Sequence, residues 1–353
     1  IRQAVRRIRT LASAARRGDG DSMAQLAAKA GELRAMAASA ARSAGARGAG
    51  GSAVRADTAR RIGSVDLSLG GERPYLCIST AHYEKMWRLF LRHGGSRDDE
   101  VGFHEALFCC LARYEALKGA GFQCAVPGNA FDAIRPLLGD VIECFASPLN
   151  CRYHRFCSAF GQVEAAFGSL GSFFDFDPYE GTFEANPPFV PEIMEAMVHR
   201  IQKLLDDSSR GALSFLLVVP DWGAGVTVSR DLERSKHARA ALHVPASSHG
   251  FCDGAQHLDA DRDRHRPSSW DTAVALLQNE AGARRWPATE ADLRRTLVKA
   301  MCEVVAGGPT LSEWEGRGRW KGGAHKRKGG GQVAAASFAK QTDDARKRRR
   351  RAD

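Results

Sequence analysis

No run of about 18 apolar residues occurs in this chain of 353 residues, so no membrane-crossing helix is expected. Cysteine is present but unpatterned. The nine residues, at 77, 109, 110, 124, 144, 151, 157, 252 and 302, are odd in number and include no Cys-x-x-Cys pair. Zinc-site and disulfide-framework spacings are both missing, so neither a metal nor an oxidised framework is expected. Cys144, Cys151 and Cys157 have no His or Cys at ligand spacing, and Cys109-Cys110 lie on an apolar helical pattern. All are expected as reduced thiols of a cytosolic or nuclear protein. No serine sits in a nucleophile elbow with His and Asp partners, which argues against a hydrolase. The first residue is Ile1 and not Met, as in a fragment or a processed product.

Charge is distributed just as unevenly. The net charge is +10, and residues 316–353 hold 13 Lys/Arg against 3 Asp, while the remainder balances 38 basic against 38 acidic residues. The closing run Arg346-Lys347-Arg348-Arg349-Arg350-Arg351 resembles a nuclear localisation signal or a nucleic-acid-binding arm, so nuclear localisation is expected. Glycine and charge leave residues 311–353 little to bury, and a disordered basic tail is expected there. At the other end, Ile1 to about Arg61 is rich in Ala, Arg and Ser. Asp19, Asp21 and Glu32 interrupt it, which favours a low-complexity extension over residues 1–65 rather than an organellar transit peptide.

Between these ends the texture changes once. Tyr83, Met86, Trp87, Phe90 and Leu91 recur at three- and four-residue spacing, as do Phe103, Ala106, Leu107, Cys110, Leu111 and Tyr114. That spacing predicts helices, and residues 66–140 are expected as a helical domain. From Val141 strand and helix alternate, over residues expected as a second domain, 141–310. Val141 to Ala146 is a short apolar strand leaving through Ser147-Pro148-Leu149-Asn150. A helix is expected from Pro191, a good first-turn residue, along the face Ile193, Met194, Met197, Val198, Ile201, Leu204 and Leu205. The unbroken run Leu213 to Val219 suits a strand buried on both faces, and it exits into Pro220-Asp221-Trp222. Thr272 to Leu277 is another apolar stretch. The alternation predicts a parallel α/β sheet with its site at the strand C-terminal ends.

The tetrapeptide Asn186-Pro187-Pro188-Phe189 falls at such an end, after the aromatic stretch Phe173 to Ala185. An Asn, two prolines and an aromatic resemble the signature of methyltransferases that act on amino groups of planar bases. The exocyclic amine of adenine is a poor nucleophile because its lone pair is delocalised into the ring. Acceptors on its N–H groups favour a more tetrahedral nitrogen and free that pair; the Asn186 side-chain oxygen and the Pro187 carbonyl are suited to this. The prolines fix φ and pre-place both acceptors, and Phe189 is suited to stack on the base. The glycine-rich turn of a nucleotide-binding βαβ unit is missing after Ala146, where Ser147-Pro148 stands instead.

Several strings appear together and in order: ECFASPLNC (143–151), CSAF (157–160), Asp175-Phe176 with GTFEANPPF (181–189), LSFLLVVPDW (213–222) and TAVALLQN (272–279). The set resembles the catalytic region of the phosphorylated-CTD-interacting factor family, the cap-specific adenosine methyltransferases, over roughly residues 74–290. The resemblance implies an α/β fold, a Rossmann-like methyltransferase domain with an accessory helical domain. It implies methyl transfer from S-adenosylmethionine to the amine at position six of the adenosine, often 2′-O-methylated, beside a 7-methylguanosine cap. No metal is implied. Asn186, Pro187, Pro188 and Phe189 match the catalytic tetrapeptide. Ala146, Ser147, Pro148, Leu149 and Asn150 match a cofactor-side loop, joined as cofactor residues by Asp175, Phe176, Asn186, Pro187 and Phe189. Phe189, Glu192, Asp221, Trp222 and His257 are the substrate-binding candidates.

The implied partners are the capped 5′ end of mRNA and, through regions outside this chain, RNA polymerase II; no membrane partner is expected. There are departures. The paired-tryptophan WW module of animal members is missing from this sequence. Pro191 stands where the family carries a Glu, for which Glu192 is the substitute. The family's cap-phosphate arginines have no aligned counterpart, and Arg88, Arg92 and Arg113 are the candidates. Asp175 also fits an ordinary turn, and His243, His249 and His257 also fit satisfied polar roles. Other readings are an amino-methyltransferase on internal RNA or DNA adenine, and a non-catalytic RNA- or polymerase-binding relative; the intact tetrapeptide argues against the latter.

Overall fold

The computed structural model describes residues 54–61, 63–69, 76–117, 124–222, 228–254, 256–258 and 265–306. The expected basic tail and nearly all of the expected N-terminal extension lie outside them. The described residues fall into two compact units. Of the described residues, the first unit draws on those within 54–125, 142–177 and 253–258, the second on those within 126–141, 178–252 and 265–306. The chain therefore divides elsewhere than at the boundary expected between 140 and 141.

The first unit opens on an antiparallel meander of β1 (Val54–Arg61), β2 (Ser64–Leu69) and β3 (Leu76–Ser79). Val65 and Leu67 alternate inward along β2 and are fully buried. These strands correct the expectation of low complexity to 65 and helix from 66. The physical reason is that β1 (VRADTARR) has only Val54 and the small Ala56 to mark its inward face at the start, too little apolar bulk to stand out from the Ala/Arg-rich stretch before it. Helices α1 (Thr80–Arg92) and α2 (Glu100–Leu117) follow, as the spacing predicts. Ser79 caps α1, its hydroxyl accepting the His82 N–H at 3.3 Å. Their inward faces share one core, in which Phe103 meets Tyr83 edge-on at 5.3 Å and Trp87 at 4.7 Å. The same core takes in Leu149, Cys151, Phe156 and Phe167. Strand β4 (Ile142–Ala146) pairs in parallel with β5 (Phe156–Ser158), which leads into the short helix α4 (Gly161–Glu164).

The second unit contains α3 (Gly128–Leu138) and sheet strands in the order β6 (Gly181–Ala185), β7 (Leu213–Asp221), β11 (Asp271–Gln278) and β8 (Ala238–Val244). Strand β6 (Gly181–Ala185) runs parallel to β7 (Leu213–Asp221), joined to it through α5 (Pro191–Asp206). In α5 the expected face is the buried one: Met194, Met197, Val198, Ile201, Leu204 and Leu205 all point inward, whereas Ile193 is only half-buried. The first eight residues of β7 are buried, as a strand covered on both faces requires. After α6 (Val228–Glu233) come β8 (Ala238–Val244), β9 (Gly250–Cys252), β10 (His265–Pro267) and β11 (Asp271–Gln278). Strand β11 is antiparallel to both β7 and β8, which corrects the expectation of a parallel sheet to a mixed one. Helix α7 (Glu280–Arg285) follows.

Candidate active site

In the second unit the tetrapeptide begins one residue beyond β6. Asn186 is 8 % exposed, Pro187 is buried, and Pro188 and Phe189 are half-buried. The turn is tight: the Val190 N–H donates to the Pro188 carbonyl at 2.7 Å, and the first helical bonds of α5, Ile193 and Met194 N–H to Val190 O at 3.0 Å, follow at once. Two fixed φ angles and a helix start leave this backbone little freedom. Glu192 stands exposed in the first turn of α5.

Phe189 is framed by other rings. Trp222, at the end of β7, meets it edge-on at 6.5 Å, and Phe251 of β9 does so at 6.3 Å. Trp222 in turn meets Trp270 edge-on at 6.3 Å. His249 holds β9 in place. Its Nδ1 lies 2.9 Å from the Pro245 carbonyl, which can only accept, so Nδ1 carries the proton and Nε2, at 2.8 Å, takes the Thr272 hydroxyl proton. Burial lowers the His249 pKa, consistent with a neutral ring. Asp221 accepts from the Ser229 hydroxyl at 3.1 Å, and its other oxygen lies 3.5 Å from His243 Nε2. Asp271, paired across the sheet with Asp221, lies 3.3 Å from the same nitrogen.

In the first unit the loop after β4 is built without glycine. Ser147 donates its N–H (2.7 Å) and its hydroxyl (2.9 Å) to Asn150 Oδ1, and the Asn150 N–H returns to Ser147 Oγ at 3.3 Å. Side-chain bonds to backbone thus make the turn that glycine makes elsewhere. Lys85 of α1 donates to the carbonyls of Leu149 (3.2 Å) and Cys151 (2.8 Å). Glu143, 3 % exposed, accepts the N–H groups of Arg152 (2.6 Å) and Tyr153 (3.2 Å). Burial pushes its carboxyl up to about 7, against the pull of those N–H groups and of Lys85. Pro148 and Leu149 are buried, and Ala146 and Asn150 half-buried.

Asp175 is exposed on a turn after Ser172, and Phe176 is half-buried. His257 also belongs to this unit, and burial takes its pKa down to about 4. Its Nδ1 and the Gln256 Nε2 are buried without a hydrogen-bond partner among the described residues. The expected residues therefore form two sets: Asn186 to Phe189, Glu192, Asp221 and Trp222 in the second unit, and Ala146 to Asn150, Asp175, Phe176 and His257 in the first. Lys85, Glu143, Phe251, Trp270 and Asp271 were not singled out by sequence reasoning. Arg113 stacks its guanidinium over Phe160 at 5.6 Å and donates to the Cys109 carbonyl, a structural role. No cluster of His, Cys, Asp and Glu fit for a metal occurs among the described residues.

Comparison with known proteins agrees with these motifs. Residues 85–254 match the family model described as "Phosphorylated CTD interacting factor 1 WW domain", a span that includes β4, the tetrapeptide and β7. The chain is 38 % identical over 222 residues to the Homo sapiens protein named "mRNA (2'-O-methyladenosine-N(6)-)-methyltransferase" and 37 % identical to the Mus musculus protein of that name. Residues 85–254 are similar to the phosphorylated-CTD-interacting factor family. The match covers 60 % of this chain and 31 % of each relative, so the chain spans about a third of the curated relatives' length. Within the family's matched span lie Lys85, Glu143 and Phe251, each tied by contact to the loop or the tetrapeptide.

Proposed function

We propose that the chain transfers a methyl group from S-adenosylmethionine to the exocyclic amine of the adenosine, often 2′-O-methylated, next to the 7-methylguanosine cap of mRNA. The observation that carries this is the placement of Asn186 to Phe189: a buried amide and a proline-fixed turn at the C-terminal end of a sheet strand, with an aromatic ring beside it. The names of the human and mouse relatives support the substrate class.

The sheet and its crossover helix are taken as a Rossmann-like methyltransferase fold, and α1 and α2 as its helical accessory part. The residues of the loop after β4 fit the donor chemically. Ser147 and Asn150 supply a locked polar turn at the end of a parallel strand, and Asp175 an exposed carboxylate for hydroxyl or amine groups. When bound, S-adenosylmethionine supplies a methyl group activated by a neighbouring positive sulfur. The Asn186 oxygen and the Pro187 carbonyl accept the amine's N–H groups and localise its lone pair. Phe189 holds the base plane by stacking, and Trp222 and Phe251 fix the angle of Phe189. Nuclear localisation through Arg346 to Arg351 belongs to the same reading.

The test is mass spectrometry of cap nucleosides after incubating the protein with S-adenosylmethionine and capped RNA that begins with adenosine. The expected product is methylated at the amine, and Asn186→Ala forms it about 10²–10³ times more slowly. Equal methylation of uncapped or internal adenosines would replace this reading with a general adenine amino-methyltransferase.

A further inference from the structure

Two rings meet the half-buried Phe189 edge-on, Trp222 and Phe251, and Phe251 is itself braced. It is 4 % exposed and stands on β9, which pairs with β10 so that Phe251 lies opposite Arg266. Its ring also meets the His249 ring edge-on, with centroids 5.6 Å apart and planes at 71°. His249 has no exposed surface, and both of its ring nitrogens are engaged, Nδ1–H with the Pro245 carbonyl and Nε2 with the Thr272 hydroxyl. Thr272 is 1 % exposed and belongs to β11, where it pairs with Pro220 of β7 and with Val244 of β8. The His249 carbonyl accepts the Ser268 N–H at 2.9 Å, which ties the backbone down as well.

Turning this imidazole would break both ring bonds at once. In a buried place the freed groups find no water to replace them, so the ring keeps one orientation. It is then a fixed wall for Phe251, as Phe251 is for Phe189. The planes of Phe251 and Phe189 stand at 77°, the edge-on arrangement that aromatic quadrupoles favour. A stacking ring held in one plane presents its face to a base without a search over orientations.

We propose that His249 is a positioning residue for the adenine: it fixes Phe251, and Phe251 fixes the plane of Phe189. The assignment rests on the reading of Phe189 as the stacking partner of the base. It gives His249 a part in substrate binding that needs no contact with RNA or methyl donor.

The test is a set of double-mutant cycles on the full chain, reading affinity for a short capped RNA that begins with adenosine, at fixed salt, and affinity for S-adenosylmethionine. His249→Gln keeps a donor and an acceptor but removes the ring, and Phe251→Leu keeps apolar bulk. Each should weaken the RNA about two- to tenfold, the worth of one edge-on ring contact, and leave the methyl donor unchanged. In a Phe189→Ala background neither should weaken the RNA further, an interdependence that a merely structural role does not produce. Thr272→Val, nearly isosteric, removes only the hydroxyl that holds Nε2 and carries the same cycle where His249→Gln does not fold. Unchanged RNA affinity in these variants, or the same loss with and without Phe189, overturns the proposal. A Phe189→Ala chain that binds RNA like the wild type instead removes the base contact named in the proposed function, and this positioning role with it.

Discussion

Asn186 is the residue on which the chemistry turns, and its surroundings separate catalysis from stability. It lies just past β6 as a polar side chain, 8 % exposed, so Asn186→Ala removes a polar group rather than an apolar core contact. Losing one preorganised hydrogen-bonding group in a catalytic site typically costs about 10²–10³ in rate. Asn186→Ala should therefore lose about that much methyl transfer while keeping its melting temperature within a few degrees. A folded variant that turns over at the wild-type rate rules out the catalytic role. Phe189→Ala should act differently, since stacking on a base is worth about 1–3 kcal/mol. RNA affinity should fall roughly ten- to hundredfold, with affinity for the methyl donor little changed. The reverse pattern in a titration would place Phe189 against the donor or in the core.

At the scale of elements, legibility followed burial. Helix α5 was plain because Pro191 opens it and its apolar residues keep helical spacing. Strand β7 was plain because both faces are covered, which leaves an unbroken apolar run. The direction of β11 was not, since an apolar run reads alike in either orientation and only its connections decide. Strand β1 was hidden by its lack of large apolar residues. In the site, the tetrapeptide and the Ser147 to Asn150 loop carry local signatures, whereas their supports do not. Nothing near Lys85 announces that carbonyls 64 and 66 residues away converge on its ammonium. The loop is held from two sides, by Lys85 on its carbonyls and Glu143 on its N–H groups. Lys85→Met keeps the apolar stem and removes the donor. It should weaken binding of the methyl donor, by calorimetry, about tenfold, the order of a charged hydrogen bond lost. Unchanged donor affinity would show that the loop keeps its shape without the lysine.

The whole molecule carries two opposed titrations in its first unit, and their balance sets how stability varies with pH. Glu143 has its pKa raised from 4.5 to about 7 by burial. Between those values the folded chain holds a proton that the unfolded chain has released, so this group's contribution falls as pH rises from about 4.5 to about 7. His257 has its pKa lowered from 6.5 to about 4, so the unfolded chain holds the extra proton and its contribution grows as pH rises over that interval. Each shift spans roughly two to three pH units, about 3 kcal/mol at full extent, and the signs are opposite. Glu164 reinforces the first trend, and His104 and His249 the second. The wild-type chain should therefore show a shallow profile in denaturant unfolding between pH 4.5 and 6.5. Glu143→Gln keeps an acceptor for the Arg152 and Tyr153 N–H groups but removes the titration, and should turn the profile into one that rises with pH. His257→Gln should turn it into one that falls. A Glu143→Gln profile that tracks the wild type would mean that Glu143 is ionised throughout this range, with Lys85 and the two N–H groups outweighing its burial.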